Sequence, residues 1–352
     1  MTAPHLATNR PRPVLVPENA RRMAVGPDLQ PLLSELHAPG RSSFKVPHAP
    51  LDALEGIPAG QLRNTPPGLP EIDEPTVIHH FVRLSHLNYS VDSGLYPLGS
   101  CTMKYNPKIN EWAARLPGFA ALHPLVPDAL AQGSLELMWT LQQQLGEIGG
   151  FPAVSLQPAA GAHGELTGIL VIRAYHLARG DVERDEVIVP DSSHGTNPAT
   201  ASMAGFKTVT VASTPEGLVD IEALREALGP RTAAVMLTNP STLGLFEHHV
   251  VDLLDALHTA GALAYMDGAN MNAVLGHFRP GQAGFDVMHF NLHKTFSTPH
   301  GGGGAGGGAI AVAVHLRRDQ AQRLGVRVGV TYRLERADER ADSRGGVGAE
   351  QG

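Results

Sequence analysis

A chain of 352 residues with 42% hydrophobic side chains can bury a large core, and its length fits one or two domains. A net charge of -7, with no lysine-rich run, gives no basic field for nucleic acid. A single cysteine, Cys101, excludes an internal disulfide framework, and no apolar run approaches the roughly twenty residues of a membrane span. The N-terminus, Met1-Thr2-Ala3-Pro4-His5, lacks a signal-peptide core, so the expectation is a cytoplasmic protein with no nucleic-acid or membrane partner.

Residues 1–70 are rich in proline and glycine and develop no alternating strand pattern. They read as an extended N-terminal arm that packs on something else. Residues 71–314 read as one α/β domain. Leu135, Leu137, Met138, Leu141, Leu145 and Ile148 fall at helical spacing. Strands are then expected at 153–156, 186–189, 208–211, 233–237, 262–266 and 287–290, and helices at 165–177, 221–228 and 251–260. Buried strands alternating with helices imply a mostly parallel sheet covered on both faces, with functional residues in the loops at the strand C-terminal ends.

Those loops hold the chemistry. Gln157 to Glu165 carries small residues into a helix start, where exposed N–H groups suit a phosphate; close packing of helix on strand explains such residues equally well. His194 sits at a loop tip, either to stack on an aromatic ligand or to hydrogen-bond locally. Asp267 closes an apolar run, either as a turn former or as a carboxylate held against a protonated ring nitrogen. Lysine is sparse: Lys45, Lys104, Lys108, Lys207 and Lys294. Lys294 follows an apolar segment and precedes a glycine run, as either a Schiff-base amine or an exposed lysine beside a loop. Together a phosphate loop, a stacking imidazole, an anion and an amine are the partners pyridoxal phosphate needs. The pairs His79-His80 and His248-His249 suggest no metal site, because adjacent histidines in a strand point to opposite faces and no cysteine or carboxylate cluster completes a ligand set.

Tyr96 to Pro107, Pro158 to Glu165, Asp191 to Ala204 and Asn291 to Gly304 closely resemble the glycine decarboxylase P-protein family, specifically subunit 2 of its two-subunit bacterial form. The resemblance runs from about residue 15 to residue 306. It implies the aspartate-aminotransferase-like fold type I of pyridoxal-phosphate-dependent transferases. Carried over by position, it implies that Lys294 bears the covalent pyridoxal phosphate and Asp267 pairs with its ring nitrogen. His194 and Ala269 are expected on the two ring faces, and Gly161, Ala162 and His293 at the phosphate. It further implies decarboxylation of glycine and transfer of the aminomethyl group to the lipoyl arm of H-protein, in a hetero-oligomer with P-protein subunit 1.

Past Gly304 the resemblance fails. The family continues into a second, smaller domain, whereas residues 315–352 form an anomalous arginine-rich tail expected to be disordered. Either the tail is a true shortened terminus or a frameshift has replaced the small domain, and the second reading is favoured. Two alternatives to the enzyme follow: a catalytically silent fragment that keeps its partner-binding surfaces, or another fold type I enzyme such as an aminotransferase or cysteine desulfurase.

Overall fold

The computed structural model describes residues 30–43, 57–65, 67–94, 105–300 and 304–316. The expected tail from residue 317 and most of the Tyr96 to Pro107 motif lie outside these residues. The chain divides into two compact units, Met1–Leu95 and Tyr96–Gly352. The division expected near residue 70 falls inside the first of them.

In the first unit a non-repetitive segment is tied to the start of one helix. Ala38 N–H donates to the Glu71 carbonyl at 2.9 Å, and Arg41 reaches Asp73 at 2.8 Å. Helix α1, Glu74–His86, begins where the Asp73 side chain accepts from the Thr76 N–H, with Pro75 in its first turn. His79 and His80 therefore lie on a helix. There adjacent side chains lie about 100° apart rather than on opposite faces, with His79 exposed and His80 buried.

The second unit is built on a seven-stranded sheet. Its strands are β1 Ala153–Ser155, β2 Glu186–Pro190, β3 Lys207–Val211, β4 Thr232–Thr238, β5 Leu263–Gly268, β6 Val287–Asn291 and β7 Gly308–Val312. The spatial order is β1-β7-β6-β5-β4-β2-β3. Every pairing is parallel except those of β7, which runs antiparallel to both β1 and β6. The reversal has a simple cause. Among the described residues between β6 and β7 the helical content is the single turn Leu292–Thr295, with no crossover helix, and β7 returns as an antiparallel neighbour.

The longer helices described in this unit are α2 Lys108–Ala114, α3 Gln132–Gly149, α4 Gly161–Arg179, α5 Thr196–Met203, α6 Ile221–Ala227 and α7 Val250–Thr259. Gly150 and Gly180 stop α3 and α4 in the left-handed conformation that a residue without Cβ adopts at no steric cost. Asp220 caps α6 by accepting from the Glu222 and Ala223 N–H groups.

The two sheet faces bury separate clusters. Val235, Leu237, Ala264, Met266, Met288 and Phe290 pack with Leu145, Leu224, Leu253 and Leu257 from α3, α6 and α7. Ala234, Met236, Leu263, Tyr265 and Val287 pack with Ile169, Ile172 and Ala201 from α4 and α5. Alternate residues of β4, β5 and β6 thus enter opposite cores, which is why these strands read as continuous apolar runs.

Candidate active site

The parallel register sets Thr238, Asp267 and His289 side by side at the ends of β4, β5 and β6. Asp267 is buried, and its Oδ1 accepts from the Ala269 N–H at 2.9 Å. The Asn197 amide, oriented with its nitrogen inward, donates to Asp267 Oδ2 at 3.2 Å and to the His194 carbonyl at 3.2 Å. Asn197 therefore joins the β2–α5 loop to the β5 carboxylate. The His194 ring is exposed, and its Nδ1 accepts from the Thr196 N–H at 3.2 Å. It is the His194 carbonyl, not the ring, that Asn197 links to Asp267.

Lys294 stands in the single helical turn Leu292–Thr295 directly after β6 and is half-buried. Its charge acts on both Glu165 and His289. Gly161, the first residue of α4, is buried against this turn. A Cβ there would overlap the Asn291 amide oxygen and lie 2.9 Å from His293 Cε1. Glycine lets the helix start approach the end of β6 and the His293 ring. His293 is buried, with Nδ1 3.1 Å from the Gly307 carbonyl oxygen and its ring edge-on to His300 at 4.4 Å. Ala162 is exposed beside Gly161, and Ala269 is buried beside Asp267. The fold thus gathers the expected residues into two adjoining groups: Gly161, Ala162, His293 and Lys294, and Asp267, Ala269 and His194.

Beneath them lies a polar network absent from the sequence reading. Tyr265 Oη is 2.6 Å from His289 Nδ1, and Asn291 Nδ2 is 3.1 Å from His289 Nε2. Asp267 Oδ1 lies 3.4 Å from the same Nε2. Burial depresses the His289 pKa, so the ring is neutral at pH 7, and burial raises that of Tyr265 well above its ordinary value. Glu165 on α4 is buried too, and burial with the neighbouring Asp267 pushes its carboxyl up to about 8. Ligand-type atoms of Glu165, Asp267 and His289 lie within 4.8 Å of one another. The trio has the composition of a metal site, but Asp267 is already engaged by Ala269 and Asn197, and His289 by Tyr265 and Asn291. Only alternation along β5 and β6 could have pointed to Tyr265 and His289, since both sit among apolar neighbours.

Several buried polar atoms around these strand ends have no partner among the described residues: Thr238 Oγ1, Asn239 Nδ2, Thr295 Oγ1 and Glu165 Oε1. Buried groups left unpaired in this way mark room for a polar ligand. A donor set of one amine, one buried carboxylate and a glycine-opened helix start fits a phosphorylated, cationic aromatic aldehyde. The sheet, with an amine one turn beyond β6 and a carboxylate ending β5, defines the large domain of a fold type I protein, the pyridoxal-phosphate-dependent class.

Residues 169–305 match the aminotransferase class-V family. The chain is 55% identical over 288 residues to the probable glycine dehydrogenase (decarboxylating) subunit 2 of Pyrococcus horikoshii, covering 82% of this chain and 57% of the relative. The protein of the same name in Halalkalibacterium halodurans is 55% identical over 311 residues, covering 87% of this chain and 63% of that one. Among solved structures, an inhibitor-bound glycine decarboxylase (P-protein) of the glycine cleavage system superposes with a TM-score of 0.60 at 24% identity, covering 75% of this chain and 58% of that one. A Burkholderia pseudomallei sphingosine-1-phosphate lyase shares the fold, with a TM-score of 0.53 at 15% identity and coverage of 76% and 64%. The chain is a homologue of glycine dehydrogenase (decarboxylating) subunit 2, and it spans 57 to 63% of the length of these curated relatives.

Proposed function

We propose that this chain carries the pyridoxal-phosphate site of a glycine-decarboxylating protein. It acts on glycine, with the aminomethyl group passing to the lipoyl arm of H-protein and P-protein subunit 1 as its partner. The observation that carries the reading is the buried Asp267, held between the Ala269 N–H and the Asn197 amide on the strand next to the one that delivers Lys294.

Lys294 is the residue that would hold the cofactor covalently, with Asp267 at its ring nitrogen. Gly161, Ala162 and His293 would receive its phosphate, and His194 and Ala269 would meet its ring faces. When bound, pyridoxal phosphate supplies an electron sink for the bond broken at the substrate's α carbon. The protein's part is electrostatic and positional. Asp267, fixed by two donors, keeps a proton on the ring nitrogen, because a neutral ring is the poorer sink. The start of α4 directs N–H groups and the positive end of its dipole toward an anion. The buried Tyr265–His289–Asn291 chain keeps water away from the back of Asp267 and restrains it from turning.

Two measurements test this. Pyridoxal phosphate added to the purified chain should give an absorbance band that Lys294→Ala abolishes. Glycine-dependent exchange of labelled CO2, with subunit 1 and lipoylated H-protein present, should then appear. A band without exchange would leave a cofactor-binding but catalytically silent chain. No band at all would end the reading.

A further inference from the structure

Glu165 is the one member of the buried cluster to which the proposed chemistry gives no task. It projects from the second turn of α4, is 3% exposed, and lies within 4.8 Å of both Asp267 and His289. Its Oε1 has no partner among the described residues, and Thr200 of α5 hydrogen-bonds the carboxyl.

The groups facing it can be named element by element. β5 contributes Asp267 and Tyr265, β6 contributes His289, and Lys294 follows β6. α5 contributes the Thr200 hydroxyl, while β4 and β7 carry no titratable side chain. Two carboxyl groups therefore share one enclosed space with one lysine and an imidazole that burial keeps neutral.

Two carboxylates this close and this dry do not both ionise. The donors decide which keeps the proton. Asp267 receives two donors, the Ala269 N–H and the Asn197 amide. Glu165 has Thr200 alone and is enclosed by the sheet.

We propose that Glu165 is a positioning residue whose protonated carboxyl leaves Asp267 as the single carboxylate of the cluster, so that the cofactor's ring nitrogen faces one fixed negative charge. This rests on the reading that Asp267 faces the cofactor. The carboxyl, raised to about 8, ionises within an accessible range. Above that pH a second anion joins Asp267 and changes the field at the ring.

The test has one arm without cofactor and one with it. In the first, infrared spectra are taken of the full chain grown with carboxyl-13C glutamate. An isotope-shifted carboxylic-acid band should be present at pH 7, fade as pH rises through about 8, disappear in Glu165→Gln and persist in Glu247→Gln, which alters the other deeply buried glutamate. In the second arm, pyridoxal-phosphate absorbance is followed against pH. The wild type should show a transition near 8 that Glu165→Gln lacks, whereas any transition common to both belongs to the cofactor. No labelled acid band at pH 7, or the same band in Glu165→Gln, overturns the proposal. So does identical pH dependence of the absorbance in both proteins, the result that a purely structural glutamate gives. If Glu165→Gln fails to fold, the labelled wild type and Glu247→Gln still decide the protonation. If no cofactor binds, the functional reading fails while the infrared arm still reports on Glu165.

Discussion

Gly268→Ala is the most informative single change, because its obstacle is main chain rather than a movable side chain. Gly268 ends β5, between Asp267 and Ala269, and pairs with Phe290 on β6. An added Cβ would overlap the His289 carbonyl oxygen and lie 2.8 Å from Met288 Cε. The methionine methyl can turn aside, but the carbonyl belongs to the adjacent central strand. To restore ordinary contact, β6 must withdraw by about 1.5 Å. That separation disrupts one or two buried ladder hydrogen bonds at about 1–3 kcal/mol each, in addition to about 1–3 kcal/mol of overpacking. The expected destabilisation is about 2–9 kcal/mol, a large share of a typical stability of about 5–15 kcal/mol. For a domain of this size, at about 2–4 °C per kcal/mol, the melting temperature should fall by at least about 4 °C and by up to about 35 °C. The assay is thermal unfolding followed by circular dichroism, with Gly133→Ala as control. Gly133 lies in the first turn of α3 with nothing within 4 Å of its added Cβ, so alanine there should be neutral or raise stability by up to about 1 kcal/mol. Pyridoxal-phosphate absorbance should fall with Gly268→Ala as well, since Asp267 moves with its strand. A Gly268→Ala protein that melts with the wild type and binds the cofactor normally would refute this close approach of β5 and β6.

Further outcomes follow from the same geometry. Asp267→Asn should slow CO2 exchange by about a hundredfold or more while weakening cofactor binding by less than about tenfold, because the charge serves the electron sink more than the binding; equal losses in a binding titration and the exchange assay would reject the assignment. Asn197→Ala removes the donor linking Asp267 to the His194 loop, and cofactor affinity measured by absorbance should fall by about ten- to a hundredfold, roughly the worth of one hydrogen bond to a charged group. At the opposite end of β6, Asp286 is buried between His258 at 2.9 Å and His315 at 3.2 Å. Burial pulls its carboxyl up, but the bonds from both histidines and the Ala264 N–H outweigh burial and leave it below its ordinary 3.8. The bond to Asp286 raises His258 above 6.5 against partial burial. The carboxylate's contribution to stability is therefore present above pH 3.8 and lost as pH falls through its lower folded value. The histidine's contribution is complete below pH 6.5 and lost as pH rises through its raised folded value. Melting temperatures across pH 3–9 should show both losses, and Asp286→Asn should flatten both limbs.

Much of this fold was legible along the chain because the sheet is buried on both sides. Each expected strand, from 153–156 to 287–290, corresponds to an observed one with bounds shifted by a residue or two; β2, β4, β5 and β6 read as unbroken apolar runs because both faces are buried, whereas β1 and β3 are only partly buried. The position of Lys294 one turn past β6 and of Asp267 at the end of β5 was legible for the same reason: an apolar run that ends in a polar residue marks a strand terminus. The helix starting at Gly161 was expected to begin only at Glu165. Its first turn, Gly161-Ala162-His163-Gly164, has no apolar side chain larger than a methyl and so carries little periodic signal, and the reason for Gly161 is the approach of Asn291 and His293 at the end of β6.

The sequence by itself determined six strands of the sheet in order, without β7 or the helix Thr196–Met203, together with the segment that carries the lysine and the types of group that gather at the strand ends. Tertiary structure decided which of those ends are neighbours, because β7 enters between β1 and β6 and no local pattern encodes that choice. It also decided the proton inventory of the site. Glu165, Tyr265 and His289 lie far apart or among apolar neighbours in the chain, and only the parallel register with α4 laid across the sheet brings them behind Asp267. Burial, a property of the assembled layers, is what turns an ordinary glutamate there into an acid that holds its proton to about pH 8.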